Sequence, residues 1–245
     1  RKLIKLLVSA GILIILPLSN PSYGQKLSLK ELTSKIEESF NKNDISNFDE
    51  LFEKNVELEV KEKYINFRRK FPNANWTIYP SGRLKDQRHS IELLITARKK
   101  VGAHLYKLKS NQKLAITIEK GKIIDQEIIS EESIITTKET FDVTLQIPNS
   151  ALTGSRYDVD IILEKPLKSP IIAGALMPYK EEFSSNLLVE TLELTPMASG
   201  GIFKSVQAPS LPGHQRWAGI IAHSDGLIAI IKLVRIVENE NDMRL

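Results

Sequence analysis

The chain contains no cysteine. That excludes disulfides, thiolate metal sites and cysteine nucleophiles, so stability has to come from hydrophobic cores. Its only histidines are His89, His104, His214 and His223, which leaves few ways to build a metal site. Basicity is scarcer than the formal net charge of +4 suggests, because Arg1, Lys2 and Lys5 supply three of those charges. Without the first 24 residues, 31 Lys and Arg face 30 Asp and Glu, a net of +1. That balance excludes a general nucleic-acid binder. No apolar run after the N-terminal segment is long enough to span a bilayer.

What is present begins with that segment. Arg1, Lys2 and Lys5 precede an almost wholly apolar stretch, Leu6 to Leu16. Pro17 to Gly24 is a short polar tail ending Ser22-Tyr23-Gly24. The pattern predicts a secretory signal over residues 1–24, cut between Gly24 and Gln25. An uncleaved anchor is the competing reading. It needs roughly 20 apolar residues. The run from 6 to 18 offers 13, interrupted by Pro17. Removing 24 of 245 residues leaves 221, enough for two domains. Residues 25–138 carry 22 basic and 17 acidic side chains, whereas 139–245 carry 9 and 13. The change from +5 to −4 predicts a boundary near 138–140.

In the first half, Ser28-Leu29-Lys30-Glu31 is a capping box opening a helix with Leu29, Leu32, Ile36 and Phe40 on one face. Asp44 or Ser46 caps a second, short helix carrying Ile45, Phe48, Leu51 and Phe52. Val56, Leu58 and Val60 alternate like a half-buried strand, and Lys61 to Lys70 reads as a helix burying Tyr64, Ile65 and Phe71. From Trp76 the period becomes two, through Ile91, Leu93, Ile95, Leu114, Ile116 and Ile118, with a tight turn at Glu119-Lys120-Gly121-Lys122. Breaks are expected at Pro80-Ser81-Gly82, Lys99 to Gly102 and Ser110-Asn111-Gln112. By element order and by the Ile116-to-Ile129 hairpin, residues 27–137 resemble the nuclear transport factor 2-like superfamily, which includes ketosteroid isomerase-like enzymes. The resemblance implies a cone: helices packed on a curved antiparallel sheet around a cavity.

In the second half, Phe141, Val143, Leu145 and Ile147 alternate, as do Tyr157, Val159, Ile161 and Leu163. Further strands are expected at 188–194, 202–206, 217–222 and 227–237. Short strands with Gly and Pro punctuation predict an all-β, immunoglobulin-like sandwich, with Trp217 filling its core. The expected fold class is therefore α+β, a cone at 25–138 followed by a sandwich at 139–245. Leu152 to Val159, Ala173 to Leu176, Ser199 to Lys204 and Pro212 to Ala218 resemble segments of exported cyanobacterial proteins of unassigned role, in which a nuclear transport factor 2-like domain precedes such a sandwich. That resemblance implies architecture and export, and carries over no catalytic residue.

The chemistry on offer is thin. An isomerase or dehydratase in the cone needs a buried acid or base beside a donor, and Tyr64, His104, Tyr106 and Asp125 are the suitable types. Against that stand a core role for Tyr64 and a solvent-facing strand for His104 and Tyr106. His214 and His223 are the metal candidates, meeting across a hairpin with Met197; the alternative is that they are turn residues. Arg68-Arg69-Lys70 and Arg98-Lys99-Lys100 offer an anion or partner patch, or simply solvated ends. Gly200-Gly201 reads as a bulge or turn, not a phosphate loop, since no helix follows. No cofactor is implied. The expected function is non-catalytic binding or assembly with a protein partner in the bacterial cell envelope, in the periplasm, the thylakoid lumen or outside the cell. A small apolar ligand or an isomerase-like reaction in the cone cavity is the rival.

Overall fold

The computed structural model describes residues 28–137, 143–164, 173–179, 194–196, 200–223 and 226–244. The expected cleavage pair Gly24 and Gln25, the boundary at 138–140, Phe141, Met197 and nearly all of the strand expected at 188–194 lie outside them.

Three helices open the described chain. In α1 (Leu29–Lys42) the capping box is made: Glu31 N–H donates to Ser28 Oγ at 3.2 Å and Ser28 N–H to Glu31 Oε2 at 2.8 Å. A short α2 (Phe48–Leu51) leads into α3 (Lys54–Lys70). Here the expected strand at 56–60 is wrong. Val56, Val60 and Tyr64 recur every four residues and form the buried face of one continuous helix. The alternation was incidental, since Leu58 is 61% exposed. Glu53 caps the helix by accepting from Asn55 N–H at 3.0 Å, and Glu57–Lys61 and Glu59–Lys63 pair one turn apart along it.

The strands are β1 (Asn75–Arg83), β2 (His89–Val101), β3 (His104–Glu119), β4 (Lys122–Thr136), β5 (Val143–Gln146), β6 (Ser150–Leu152), β7 (Arg156–Leu163), β8 (Ala173–Tyr179), β9 (Gly201–Gln207), β10 (Gly213–His223) and β11 (Gly226–Val237). Lys120 and Gly121, at φ 49° and 82°, make the expected tight turn between β3 and β4. Two expected breaks are not breaks. Pro80 to Gly82 is a register shift inside β1. Ser110 to Gln112 runs straight through β3, because these polar side chains are satisfied across the ladder. Ser110 Oγ lies 2.7 Å from Ser133 Oγ, and Gln112 Nε2 donates to Glu131 at 3.2 Å.

The expected pairing of a cone with a separate immunoglobulin-like sandwich is overturned by the strand order. One eight-stranded sheet runs β1-β2-β3-β4-β11-β10-β8, with β6 joined in parallel to β11. A three-stranded sheet, β5-β7-β9, packs beside it. The chain is mostly antiparallel sheet, its helices are small, and the long sheet does not close around them into a cone. Instead β4 carries it onward by pairing Glu132 to Thr136 with β11.

A lateral row of partners crosses seven strands: Trp76, Ile95, Ser110, Ser133, Ile231, Ala218 and Met177. The Trp76 side is covered by the helices, with Leu32, Ile36, Phe40, Phe48 and Tyr64 in one core. Trp217 is next to Ala218 and so stands on the other side of the sheet. There it joins Ile221, Ile228, Ile230 and Val234 against Tyr157, Val159 and Ile161 of β7. Thus the two ends of one sheet build their main cores on opposite faces.

The outer edge of β1 would offer unpaired backbone groups to another strand. Helix α1 covers it. Asn41 Nδ2 donates to Trp76 O at 2.7 Å, Trp76 N–H donates to Asn41 Oδ1 at 2.8 Å, and Ile78 N–H donates to Glu37 Oε2 at 2.6 Å. The Asn41 amide therefore mimics a neighbouring strand. Asn41→Leu should cost about 1–3 kcal/mol, because it strands two part-buried backbone groups. It should also promote self-association through the opened edge. Urea unfolding and light scattering read both, and an unchanged curve and profile would rule out the capping role.

Candidate functional site

The residues expected to line a cone cavity do not meet. Tyr64 is buried in α3, its ring stacked on Phe40 at 5.0 Å. Its hydroxyl lies 2.9 Å from Phe40 O and 2.8 Å from Asn43 Oδ1, and accepts from Arg68 Nε at 3.0 Å. His104 and Tyr106 begin β3, opposite Val101 and Lys99 at the far tip of a hairpin. Asp125 is exposed on β4 opposite Thr117, roughly 40 Å along the strand from His104. His214 and His223 do not face each other across a hairpin. They sit at opposite ends of the same strand, β10, paired with Arg235 and Gly226. Among the described residues no group of three His, Cys, Asp or Glu is placed to hold a metal ion.

A charged cleft forms where β4 and β11 part. Beyond the β4 pairing, β11 takes β6 as its neighbour from Arg235 to Val237. The strands diverge around a cavity of about 340 Å³ lined by Arg88, Glu127, His214 and Arg235. Arg88 donates from Nε to Asp86 Oδ2 and from Nη1 to Glu127 Oε2, both at 2.6 Å. His214 Nε2 is 3.3 Å from Glu127 Oε1. Burial pushes His214 below its ordinary value; Glu127 pulls the other way, and Arg216 and Arg235 add to the depression. The C-terminal 3₁₀ turn (Glu240–Asp242) closes one side. Three consecutive carbonyls around that turn accept from three separate elements: Asn241 from Lys85 Nζ at 2.9 Å, Asp242 from Arg235, and Met243 from Ser150 Oγ at 3.0 Å. These charges answer one another, so the cleft works as a weld joining the β2–β4 region, β11 and the terminal turn.

The β2–β3 hairpin is different. Arg98 pairs with Lys107, Thr96 with Lys109, Lys100 with Leu105 and Lys99 with Tyr106. The register therefore sets Arg98 directly beside Lys107, a like-charge neighbour that sheets ordinarily avoid. The segment that follows helix α3 meets the same hairpin. Arg98 N–H donates to Asn73 Oδ1 at 3.2 Å, and Lys99 Nζ lies 5.9 Å from the Phe71 ring centroid. Among the described residues, Arg98, Lys99, Lys100 and Lys109 make no ion pair. At the tip, Val101 is 51% exposed and Leu105 42%.

Arg98-Lys99-Lys100 was legible as half of a patch, but Lys107, Lys109, Val101 and Leu105 were missed. A signal existed. From Glu92 to Glu119 the sequence has no carboxylate between, while Arg98, Lys99, Lys100, Lys107, Lys109 and Lys113 fall in that interval. Arg68, by contrast, does not belong to the patch: its guanidinium is engaged by backbone carbonyls.

The model of one protein family, described as a Domain of unknown function (DUF8623), matches residues 138–237. The match ends at the last residue of β11 and leaves out the helices and the basic hairpin. No curated protein matches the chain. Among the described residues no helix is long and apolar enough to cross a membrane.

Proposed function

We propose that this chain is an exported, non-catalytic binding or assembly protein of the bacterial cell envelope, working by surface contact through the β2–β3 hairpin. The observation that carries the reading is the clustering of Arg98, Lys99, Lys100 and Lys109 along one hairpin that ends in the exposed Val101 and Leu105. Arg98, Lys99, Lys100 and Lys109 make no ion pair among the described residues, so a surface of opposite sign is the complementary partner. Export rests on Arg1, Lys2 and Lys5 ahead of Leu6 to Leu16, and on the resemblance of the second half to exported cyanobacterial proteins. The isomerase-like rival needed Tyr64, His104, Tyr106 and Asp125 around one cavity, and the strand register spreads them along the molecule.

Expressed with its N-terminal segment in a bacterial host, the protein is expected in the envelope fraction with a new N-terminus at Gln25. A photo-cross-linker at position 100 should form adducts with an envelope component, and the Arg98→Glu, Lys99→Glu double variant should lose them. Cytoplasmic retention with the segment intact, or adducts indifferent to charge reversal, would overturn the proposal.

A further inference from the structure

The geometry points to an anionic lipid surface as what the β2–β3 hairpin binds, with Val101 and Leu105 entering the headgroup layer and Arg98, Lys99, Lys100 and Lys109 lying among the lipid phosphates. This rests on the surface-binding reading above and names its partner. Three observations carry it.

The first is the distribution of side chains about the tip. Val101 lies opposite His104, and Leu105 lies opposite Lys100. Successive residues of a strand alternate faces, so the two exposed aliphatic side chains project from opposite faces of the hairpin. The basic residues do the same: Arg98 and Lys100 share the Leu105 face, and Lys99 shares the Val101 face. An apolar end ringed by cations on both sides is a wedge. It suits end-on entry into a surface, not flat docking of a sheet face.

The second is composition. Protein interfaces are anchored by buried aromatics and arginine and are poor in lysine. This tip is lysine-rich, and its exposed apolar residues are two aliphatics. Lysine with aliphatic side chains at an interfacial depth is the chemistry of peripheral membrane contact. Among the described residues no helix offers a spanning alternative.

The third is the charge of the whole. Residues 25–138 carry +5 and residues 139–245 carry −4. An anionic surface therefore attracts the half of the sequence that carries the hairpin more than the half that follows it.

The test is flotation of the full chain with vesicles. Binding is expected to vesicles of phosphatidylcholine mixed with phosphatidylglycerol, at least about tenfold stronger than to phosphatidylcholine alone and weakened by salt, since each basic side chain near the surface contributes a several-fold gain. Arg98→Glu with Lys100→Glu should abolish it. Val101→Asp with Leu105→Asp should weaken it about tenfold or more while the circular dichroism spectrum is unchanged. Lys120→Glu, at the other end of β3, changes net charge without touching the tip and should leave binding intact. Equal binding to both vesicles, or loss with Lys120→Glu equal to loss with the tip variants, overturns the proposal. Failure to bind either vesicle while charge-dependent cross-linking to an acidic envelope protein persists also overturns it, but leaves the surface-binding reading standing. Failure of vesicle binding and cross-linking together removes both.

Discussion

Replacing Arg68 by alanine is expected to cost about 3 kcal/mol of folding stability, since a charged hydrogen bond to a part-buried acceptor is worth about 1.5–3 kcal/mol and several are lost together without adding fully. The guanidinium donates to Phe40 O at 2.5 Å, Ala74 O at 2.7 Å, Pro72 O at 3.0 Å and Asn41 O at 3.3 Å, and to the Tyr64 hydroxyl at 3.0 Å. Its carbon sits 4.5 Å from the Trp76 ring centroid. Phe40 and Asn41 close α1, so the same cation answers the carbonyls left open at that helix end and their partial negative charge. Arg68→Lys should recover less than half of the loss. An ammonium carries the charge but not the planar fork that reaches four carbonyls at once. Arg69→Ala, one residue along and exposed, should stay within about 0.5 kcal/mol. Urea unfolding followed by Trp76 fluorescence measures all three. Equal effects at positions 68 and 69 would show that the clip is not a structural device.

Arg68 also shows where sequence reading stops. The triplet Arg68-Arg69-Lys70 looks uniform, yet one member is a bolt inside the fold and the other two are exposed. Only position on the helix separates them, four residues on from Tyr64 for Arg68. Signals confined to a few neighbouring residues were legible. The Ser28–Glu31 capping box formed, as did the turn at Lys120-Gly121 and the period-two burial of Ile91, Leu93 and Ile95 along β2. Val56-Leu58-Val60 misled because valines four apart satisfy both periods, and burial against Phe40 and Tyr64 decided for the helix.

The fold class failed for a different reason. Alternation tells which residues share a face, not which distant strand lies next door. Nothing near Glu132 to Thr136 announces that Ile228 to Lys232 will pair with it, almost a hundred residues on. That one ladder runs one long sheet through both expected halves, with cores on opposite faces. The candidate surface was half legible for the same reason. Arg98-Lys99-Lys100 is visible in sequence, but its meeting with Lys107 and Lys109 depends on the register of β2 and β3.

The adjacent glycines at 200 and 201 should behave as opposites. A Cβ on Gly201 would lie 2.3 Å from the carbonyl oxygen of Ile161 and 3.3 Å from its carbonyl carbon, while one on Gly200 would meet nothing within 4 Å. Gly201 pairs with Ile162, and Leu163 N–H donates to Gly200 O at 2.8 Å. The clash is therefore with backbone held in a ladder, and no rotamer relieves it. Gly201→Ala should cost about 2–3 kcal/mol, at the upper end for overpacking; Gly200→Ala should be neutral within about 0.5 kcal/mol. Gly219 tests the same contact from the long sheet. Its Cβ would approach Ile161 Cδ1 at 2.5 Å, but that is the end of a side chain that can turn aside, so Gly219→Ala should cost less than Gly201→Ala. Because Gly201 crowds the backbone of Ile161 and Gly219 its side chain, the two substitutions share a neighbour and should not add. Trp217 fluorescence during urea unfolding reads this core, since Trp217 and Ile161 belong to it together. A neutral Gly201→Ala would mean that β9 can slide away from β7 freely, and that the close approach of the two strands contributes little to the three-stranded sheet.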